Sequence, residues 1–357
     1  MADPDHRYDH QEAMLSETAR ASDGGPLRLL LVILPVLLIG AVVYLGLTGR
    51  LGPLTTSLVE TANSWIGGAT KQGGEANAAA GQSDSSQPDS GQIVMEALSP
   101  TELLTKYPPP PGLSLQPGTA DQPAWQRFQR PFSGGTGARL GVLITGLGLN
   151  RAATAAAILY LPPEVSLSFS PYAPDLAAWI DAARAYGHEA LVDLPMESAA
   201  WQDNPGPDGM MSGLKPTENL ARLGRIADRA PHIVGMSTAL GSRFLTDRAA
   251  LAPVLGDLAE RGFAFIETTP DTRLLGAEIG AALKQPRGKA DAFLDGTEGR
   301  DRLDSELAAL VTQVKQQKRI LAVATSSPLT LAMIAAWSRG LQAQAVVLAP
   351  ASALLEQ

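Results

Sequence analysis

Residues 139–150 read RLGVLITGLGLN, and this segment decides the fold of the chain. Its apolar run at Leu140–Ile144 is typical of a buried β-strand. Gly146 and Gly148 then interrupt the run, and Asn150 is a good N-cap for the alanine-rich helix predicted after it. A strand, a glycine turn and a helix start in this order predict the first unit of an α/β domain. In such domains the functional side chains lie where strands end.

Strand and helix patterns alternate from this segment to the end of the chain. The predicted strands are Leu140–Thr145, Val165–Phe169, Glu189–Leu194, Ile233–Met236, Phe263–Glu267, Ala292–Leu294, Arg319–Ala324 and Ala345–Leu348. The predicted helices are Asn150–Tyr160, Asp175–Tyr186, Thr217–Ala230, Asp247–Arg261, Leu274–Leu283, Arg300–Gln317 and Leu329–Arg339. Such alternation predicts a mainly parallel sheet. Seven or eight strand–helix units in about 220 residues favour a distorted (β/α) barrel over a doubly wound sheet.

The N-terminal part of the chain has a different composition. Residues 1–27 are polar and predict a disordered cytoplasmic tail. The uncharged run Leu29–Leu47, LLLVILPVLLIGAVVYLGL, would span about 29 Å as a helix, close to the thickness of one bilayer core. Residues 28–48 therefore predict an uncleaved single-pass transmembrane anchor, since a signal peptide has a shorter apolar core. Two arginines before the run and one after it favour a cytoplasmic N-terminus and a periplasmic C-terminal domain, at the inner membrane.

The region between this anchor and the domain is predicted to be a spacer. Residues 49–137 predict a short juxtamembrane segment and then a disordered linker rich in Gly, Ala, Ser and Pro, with four consecutive prolines at Pro108–Pro111. Within it, Ile93–Tyr107 has helical spacing and is expected to dock on the domain. The globular domain is predicted to cover residues 138–357.

Composition and spacing argue against several functions. The formal net charge of −8 disfavours a nucleic-acid partner, and the absence of cysteine excludes a thiolate metal site. Gly146 and Gly148 resemble the start of a dinucleotide-binding fingerprint, but Arg151 replaces its third glycine. His188 and His232 precede strands, opposite the expected site. A Ser-His-Asp hydrolase and a histidine-ligated metal enzyme are therefore poorly supported.

Polar side chains stand at three other predicted strand ends. Asp193 ends one strand and Glu197 lies in the loop after it, so the pair is suited to acid–base or metal chemistry, or simply to binding loop amides. The turn from Ser237 to Ser242 leads to Arg243, which is expected either to bind a ligand or to pair with a carboxylate such as Glu267.

The last of these strand ends carries hydroxyl groups. Thr325, Ser326 and Ser327 follow a strand and precede a helix. Ser327 followed by Pro328 is a good helix start, which explains one hydroxyl without any function.

The order of these segments resembles the divergent polysaccharide deacetylase family over roughly Arg139–Ala353. The resemblance rests on Leu140–Gly148, GHEALVDLPME at 187–197, NPGP at 204–207, the GSRF ending of Val234–Phe244, the RGFAFIE strand and Asp291–Asp295. It implies a distorted (β/α) barrel in an exported setting. It also implies metal-dependent removal of acetyl groups from sugars, in which a zinc ion held by an aspartate and two histidines activates water.

Several positions depart from the pattern that the resemblance implies. Thr145 and Gly146 stand where the family has paired aspartates, and Ala239 and Thr325 stand where it has histidines. Two further positions also differ, with Asp193 for a histidine and Glu267 for an aspartate. Alanine and glycine cannot ligate through a side chain, and neutral threonine is a poor zinc ligand. We therefore expect no zinc site of the family type and no other cofactor.

Three hypotheses follow. The first is a membrane-anchored, periplasmic, degenerate family member that binds a glycan or an envelope protein. Its candidate binding residues are Thr145, Ser237, Ser242, Arg243 and Thr325. The second is an active carbohydrate hydrolase with a rebuilt centre, which requires Asp193, Glu197 and Glu267 to converge. The third is a purely structural envelope protein.

Overall fold

A computed structural model describes residues 93, 95–134, 137–270 and 273–357. The predicted cytoplasmic tail and the anchor at 28–48 lie outside the described residues. Within the described ranges, no helix combines the length and the apolar character needed to cross a bilayer.

Nine strands and nine α-helices form in these ranges. The strands are β1 (Ala138–Leu147), β2 (Ser166–Phe169), β3 (Ala190–Met196), β4 (Gly235–Leu240), β5 (Ala264–Glu267), β6 (Arg287–Lys289), β7 (Ala292–Leu294), β8 (Arg319–Thr325) and β9 (Val346–Ala349). The helices are α1 (Pro100–Lys106), α2 (Ala124–Phe128), α3 (Arg151–Tyr160), α4 (Leu176–Ala185), α5 (Pro216–Arg229), α6 (Arg248–Glu260), α7 (Gly276–Ala282), α8 (Arg300–Gln317) and α9 (Pro328–Ser338). Every strand and helix predicted between residues 139 and 357 is present, with small shifts at the ends.

The strands form one parallel sheet in the order β6-β5-β4-β3-β2-β1-β8-β7, with β9 added beside the first half of β1. β6 and β7 belong to one extended segment. Between them, the Ala290 N–H donates to the Glu267 carbonyl and the Asp291 N–H donates to the Leu321 carbonyl, both at 2.8 Å. This segment therefore bridges β5 and β8 and brings the two sheet ends together. The prediction of a distorted (β/α) barrel is confirmed.

Alternate residues of each strand face two different apolar layers. From β1, Leu140, Val142 and Ile144 pack in the outer core under the helices, whereas Leu143 belongs to an inner cluster. At Gly141 an added Cβ would lie 2.4 Å from the Leu354 Cδ1 atom. The C-terminal 3-10 helix at Ala351–Leu354 therefore fills the interior beside β1.

Local signals read from the sequence explain where the helices begin. Asn150 caps α3 by accepting from the Ala153 N–H at 3.1 Å. Ser327 caps α9 by accepting from the Thr330 N–H at 3.1 Å, with Pro328 at the first helical position. These caps satisfy backbone donors that the helix itself leaves free.

The linker prediction is wrong for residues 95–134, which pack on the barrel. In α1, Leu103 is fully buried, which confirms the expected docking of Ile93–Tyr107. Farther along, Trp125 and Phe128 of α2 join the inner cluster. Proline-rich composition indicated an irregular backbone correctly, but an irregular backbone can still bury aromatic side chains. We call residues 107–134 the strap.

Buried polar groups fix the strap to the N-terminal ends of the strands. The Arg184 guanidinium donates to the carbonyls of Phe128 at 2.7 Å and Leu115 at 3.1 Å. The fully buried Glu189 carboxylate accepts from the Arg130 N–H at 2.7 Å and from the Ser352 N–H at 3.1 Å. The strap and the C-terminal turn therefore close this end of the barrel.

Candidate functional site

The carboxyl ends of the strands form the other end of the barrel, which we call the mouth. β1 and β8 lie side by side here, with Thr145 opposite Thr325. β3 and β4 are also in register, with Asp193 opposite Ser237 and Pro195 opposite Ala239. The mouth therefore gathers the polar strand ends that the sequence singled out.

Asp193 is the centre of a buried hydrogen-bond network below the mouth. Its Oδ2 accepts from the Gly146 N–H at 2.9 Å, and its Oδ1 accepts from the hydroxyls of Ser168 at 2.6 Å and Ser237 at 3.0 Å. The two serine oxygens are 2.8 Å apart. This one carboxyl thus ties β1, β2, β3 and β4 together. Since only 5% of Asp193 is exposed, burial raises the pKa of its carboxyl, although the three hydrogen bonds oppose the rise.

Glu197 organises the loops after β3 and β4. Its Oε2 accepts from the Ser212 N–H at 2.7 Å and from the Ser212 hydroxyl. Its Oε1 lies 3.5 Å from the Arg243 Nε, and its backbone carbonyl accepts from the Arg243 N–H at 3.1 Å. Arg243 therefore pairs with Glu197 and not with Glu267. Most of the Arg243 side chain remains exposed and available to a ligand.

Glu267 does not join the other two carboxylates. It shares the outer face of β5 with Phe265, because an added Cβ at Gly276 would contact both side chains. There its Oε1 accepts from the Gly276 N–H at 3.1 Å, at the start of α7. Burial raises the pKa of the Glu267 carboxyl, although Lys289 and the helix N–H groups oppose the rise. The convergence of Asp193, Glu197 and Glu267 required by the second hypothesis is absent.

The remaining candidate residues differ in accessibility. Ser237 is fully buried, and its hydroxyl is engaged with Asp193. Ser242 accepts from the Ala199 N–H at 2.9 Å and so ties two mouth loops together. Thr145 is half-buried, with its hydroxyl 3.5 Å from the Ala324 carbonyl oxygen, and Thr325 is exposed at the end of β8. A ligand at the mouth can therefore contact Thr145, Thr325 and Arg243 directly, but it cannot reach the buried Ser237.

Sequence reasoning did not single out Asp295 as a site residue. Asp295 follows β7, where its Oδ1 accepts from the Thr325 hydroxyl at 3.2 Å and from the Thr297 N–H at 3.0 Å. The Thr297 N–H is the main reason that the pKa of the Asp295 carboxyl is lowered. The signal available was an aspartate directly after a short apolar strand, as for Asp193. Asp295 therefore supplies an ionised carboxylate at the mouth.

The donor set does not fit the zinc ion that the resemblance implies. Within the described residues, no three Asp, Glu or His side chains lie close enough to hold one metal ion. Thr325 directs its hydroxyl to Asp295, and Asp193 is occupied by three protein donors. Both domain histidines lie elsewhere. His188 is buried against the carbonyls of Val165 and Ile158, and His232 contacts Asp181.

Two cavities lie away from the mouth. One of about 300 Å³ lies at the N-terminal end of the barrel, between residues 288–291 and the start of β8. Another of about 580 Å³ lies between residues 130–134 of the strap and the segment from α9 to β9. Neither is lined by the polar strand ends described above.

Comparison with known proteins places this geometry in a family. The family described as divergent polysaccharide deacetylase matches residues 142–355. A crystal structure of an uncharacterized protein from Agrobacterium tumefaciens is 32% identical, with a TM-score of 0.64, and the match covers 68% of this chain and all of that one. An uncharacterized protein from Haemophilus influenzae is 22% identical over 208 residues, which cover 57% of this chain and 72% of that protein.

Proposed function

The chain belongs to the divergent polysaccharide deacetylase family, and we propose that it binds an envelope glycan at the barrel mouth without removing acetyl groups by metal-dependent hydrolysis. The observation that carries this proposal is which side chains stand at the carboxyl ends of the strands. Thr145, Gly146, Ala239 and Thr325 offer no zinc-ligand set, and the buried Asp193 already accepts hydrogen bonds from three protein donors. The scaffold and the polar mouth remain, which suits binding rather than hydrolysis.

The anchor and the compartment belong to the same proposal. The apolar run at Leu29–Leu47 is long enough to span one bilayer core, and the basic residues before it favour a cytoplasmic N-terminus. A domain tethered in this way would face the periplasm, where cell-wall glycans are accessible. An envelope protein as the ligand is the alternative that a binding experiment has to separate from a glycan.

The two rival hypotheses have less support. A rebuilt carboxylate centre would lack Glu267, which caps α7 on the outer face of β5. A purely structural role does not explain why Arg243, Thr325 and Asp295 present charged and hydroxyl groups at the mouth.

We test the proposal on the full-length chain in a detergent without a sugar headgroup. Calorimetric zinc titration should give no tight binding, and acetylated chitooligosaccharides and peptidoglycan should release no acetate. Pull-down on peptidoglycan fragments should retain the wild-type chain and lose the Arg243→Ala variant. Arg319→Ala is the matched control, because Arg319 is an exposed, ion-paired arginine at the opposite end of β8.

Tight zinc binding with turnover would show that the chain is an active deacetylase. Equal retention of both arginine variants on peptidoglycan would place glycan binding outside the mouth. Retention of an envelope protein but of no glycan would replace the proposed ligand class.

A further inference from the structure

Exposed apolar side chains are concentrated at the mouth. Of the five large ones in the part of the chain that the structure describes, Leu149 follows β1, Trp201 follows β3, Leu240 ends β4 and Phe293 lies on β7. The fifth, Leu283, follows α7, whose C-terminal end lies at the opposite end of the barrel. Single exposed apolar residues are ordinary on a protein surface, but four of these five lie at one end of the barrel, which directs attention to the mouth.

Trp201 is the most exposed of the set, at 93%, and its loop is held in place on both sides of it. Before it, the Ala199 N–H donates to the Ser242 hydroxyl at 2.9 Å. After it, the Tyr172 hydroxyl donates to the Pro205 carbonyl at 2.7 Å. An unpacked indole on an anchored loop is already positioned for a ligand, so little loop entropy is lost on binding.

Phe293 places a second aromatic ring beside polar groups. Its neighbours Ala292 and Leu294 pack against the outer core, so the Phe293 ring faces the barrel interior and remains 39% exposed. Asp295 lies two residues farther along the chain, where it accepts the Thr325 hydroxyl at 3.2 Å. An apolar ring, a carboxylate and a hydroxyl therefore share this side of the mouth.

We infer that the indole of Trp201 stacks on the C–H face of one pyranose ring of the glycan proposed above. Beside Phe293, the Asp295 carboxylate accepts hydrogen bonds from sugar hydroxyls. The Thr325 hydroxyl exchanges hydrogen bonds with the same sugar. A sugar presents an apolar face and a hydroxyl-bearing edge, which matches an aromatic ring next to a carboxylate. Along the rim, β8, β1 and β2 separate Phe293 on β7 from Trp201 after β3, and Thr325 and Thr145 end two of these strands. Two aromatic rings with hydroxyl groups between them suit a glycan better than a flat apolar protein surface.

This inference rests on the proposed function, and the experiment separates the two. Full-length wild type, Trp201→Ala, Trp201→Phe and the control Leu283→Ala are titrated calorimetrically with N-acetylglucosamine oligosaccharides and with soluble peptidoglycan fragments. We expect Trp201→Ala to bind at least about tenfold more weakly. Trp201→Phe should retain most of the affinity, and Leu283→Ala should equal the wild type.

Indole fluorescence tests whether the contact is direct. The difference between wild-type and Trp201→Phe emission isolates Trp201, and this difference should shift to the blue when sugar covers the indole. Wild-type binding that Trp201→Ala does not weaken, or weakened binding without a Trp201 emission change, would overturn the stacking inference and leave the proposed function standing. Failure of the wild type to bind either glycan would overturn the proposed function itself.

Discussion

At the scale of single residues, Asp193 is a polar residue at a strand end whose carboxyl group is bound by other strands of the sheet. Its carboxyl sits where four strands meet and receives one backbone and two hydroxyl donors. A buried carboxyl that lost these donors would be strongly disfavoured, and the donors would in turn lose their acceptor. These contacts make Asp193 a structural support of the mouth.

The stability contribution of Asp193 depends on pH with a definite sign. Because burial raises its pKa above 3.8, the folded state holds the proton more tightly than the unfolded state. The stabilisation is complete below pH 3.8 and is lost as pH rises through the folded-state pKa. Asparagine does not titrate, so Asp193→Asn should cost about 1–3 kcal/mol at pH 4 and less at neutral pH. Urea unfolding at a series of pH values measures the difference.

Asp203→Asn is the matched control, because Asp203 is exposed in a mouth loop. The unfolding free energy of this variant should differ from that of the wild type by no more than about 0.5 kcal/mol. A cost of Asp193→Asn that grows with pH would contradict the raised pKa.

The sequence placed Asp193 at the end of a strand but could not name its partners. Ser168 lies 25 positions away and Gly146 lies 47 positions away, so their contact depends on strand order and register. Glu267 was misplaced for a related reason. Its strand is buried on both faces, and a continuous apolar run does not reveal which alternate residues face inward.

At the scale of elements, regular strands and helices were predictable and short or irregular ones were not. β8, α8 and β7 follow their apolar patterns closely. β6 reads Arg287-Gly-Lys289 and carries no apolar pattern, so only its pairing with β5 identifies it. The strap was missed because Trp125 and Phe128 are isolated apolar residues in proline-rich sequence, where periodicity gives no signal.

The strap is predicted to contribute to folding stability. The Phe128 ring is 9% exposed and lies 5.3 Å from the Arg184 guanidinium carbon and 5.5 Å from the His232 ring. Phe128→Ala should reduce the free energy of unfolding by about 3–5 kcal/mol, since it leaves a cavity in the inner cluster. Phe132→Ala is the control, because Phe132 is only half-buried and should cost less. A urea midpoint of Phe128→Ala equal to that of the wild type would mean that Phe128 does not hold the strap on the barrel.

At the scale of the whole molecule, the two ends of the barrel have different tasks. The strap, Glu189 and the C-terminal turn close the N-terminal end. Hydroxyl groups, the ionised carboxylate of Asp295 and four exposed apolar side chains are among the groups at the mouth. A ligand bound there would contact loops from several strands at once. This arrangement lets ligand-contacting residues change while the closed end keeps the scaffold intact.

If the scaffold is intact, restoring the family's ligands should restore metal binding. The triple variant Gly146→Asp, Ala239→His and Thr325→His places one aspartate and two histidines at the mouth. Gly146 has φ +74°, which aspartate tolerates better than most residues, and the nearest side-chain atom to an added Cβ is the Ser326 Oγ at 3.8 Å. The Gly146 N–H also donates to Asp193 on β3, and β3 pairs with β4, which carries Ala239. Positions 146 and 239 therefore lie near the same part of the mouth.

Calorimetry should give micromolar or tighter zinc binding for this variant, about −8 kcal/mol, and none for the wild type. The control Gly146→Asn, Ala239→Gln and Thr325→Gln has side chains of similar size but no ionised or imidazole ligand, so it should not bind zinc. Circular dichroism melts would confirm that both triple variants fold. A folded histidine variant without zinc affinity would mean that these three positions do not converge on one point. A zinc site at the mouth would then need a change in barrel geometry as well as the three substitutions.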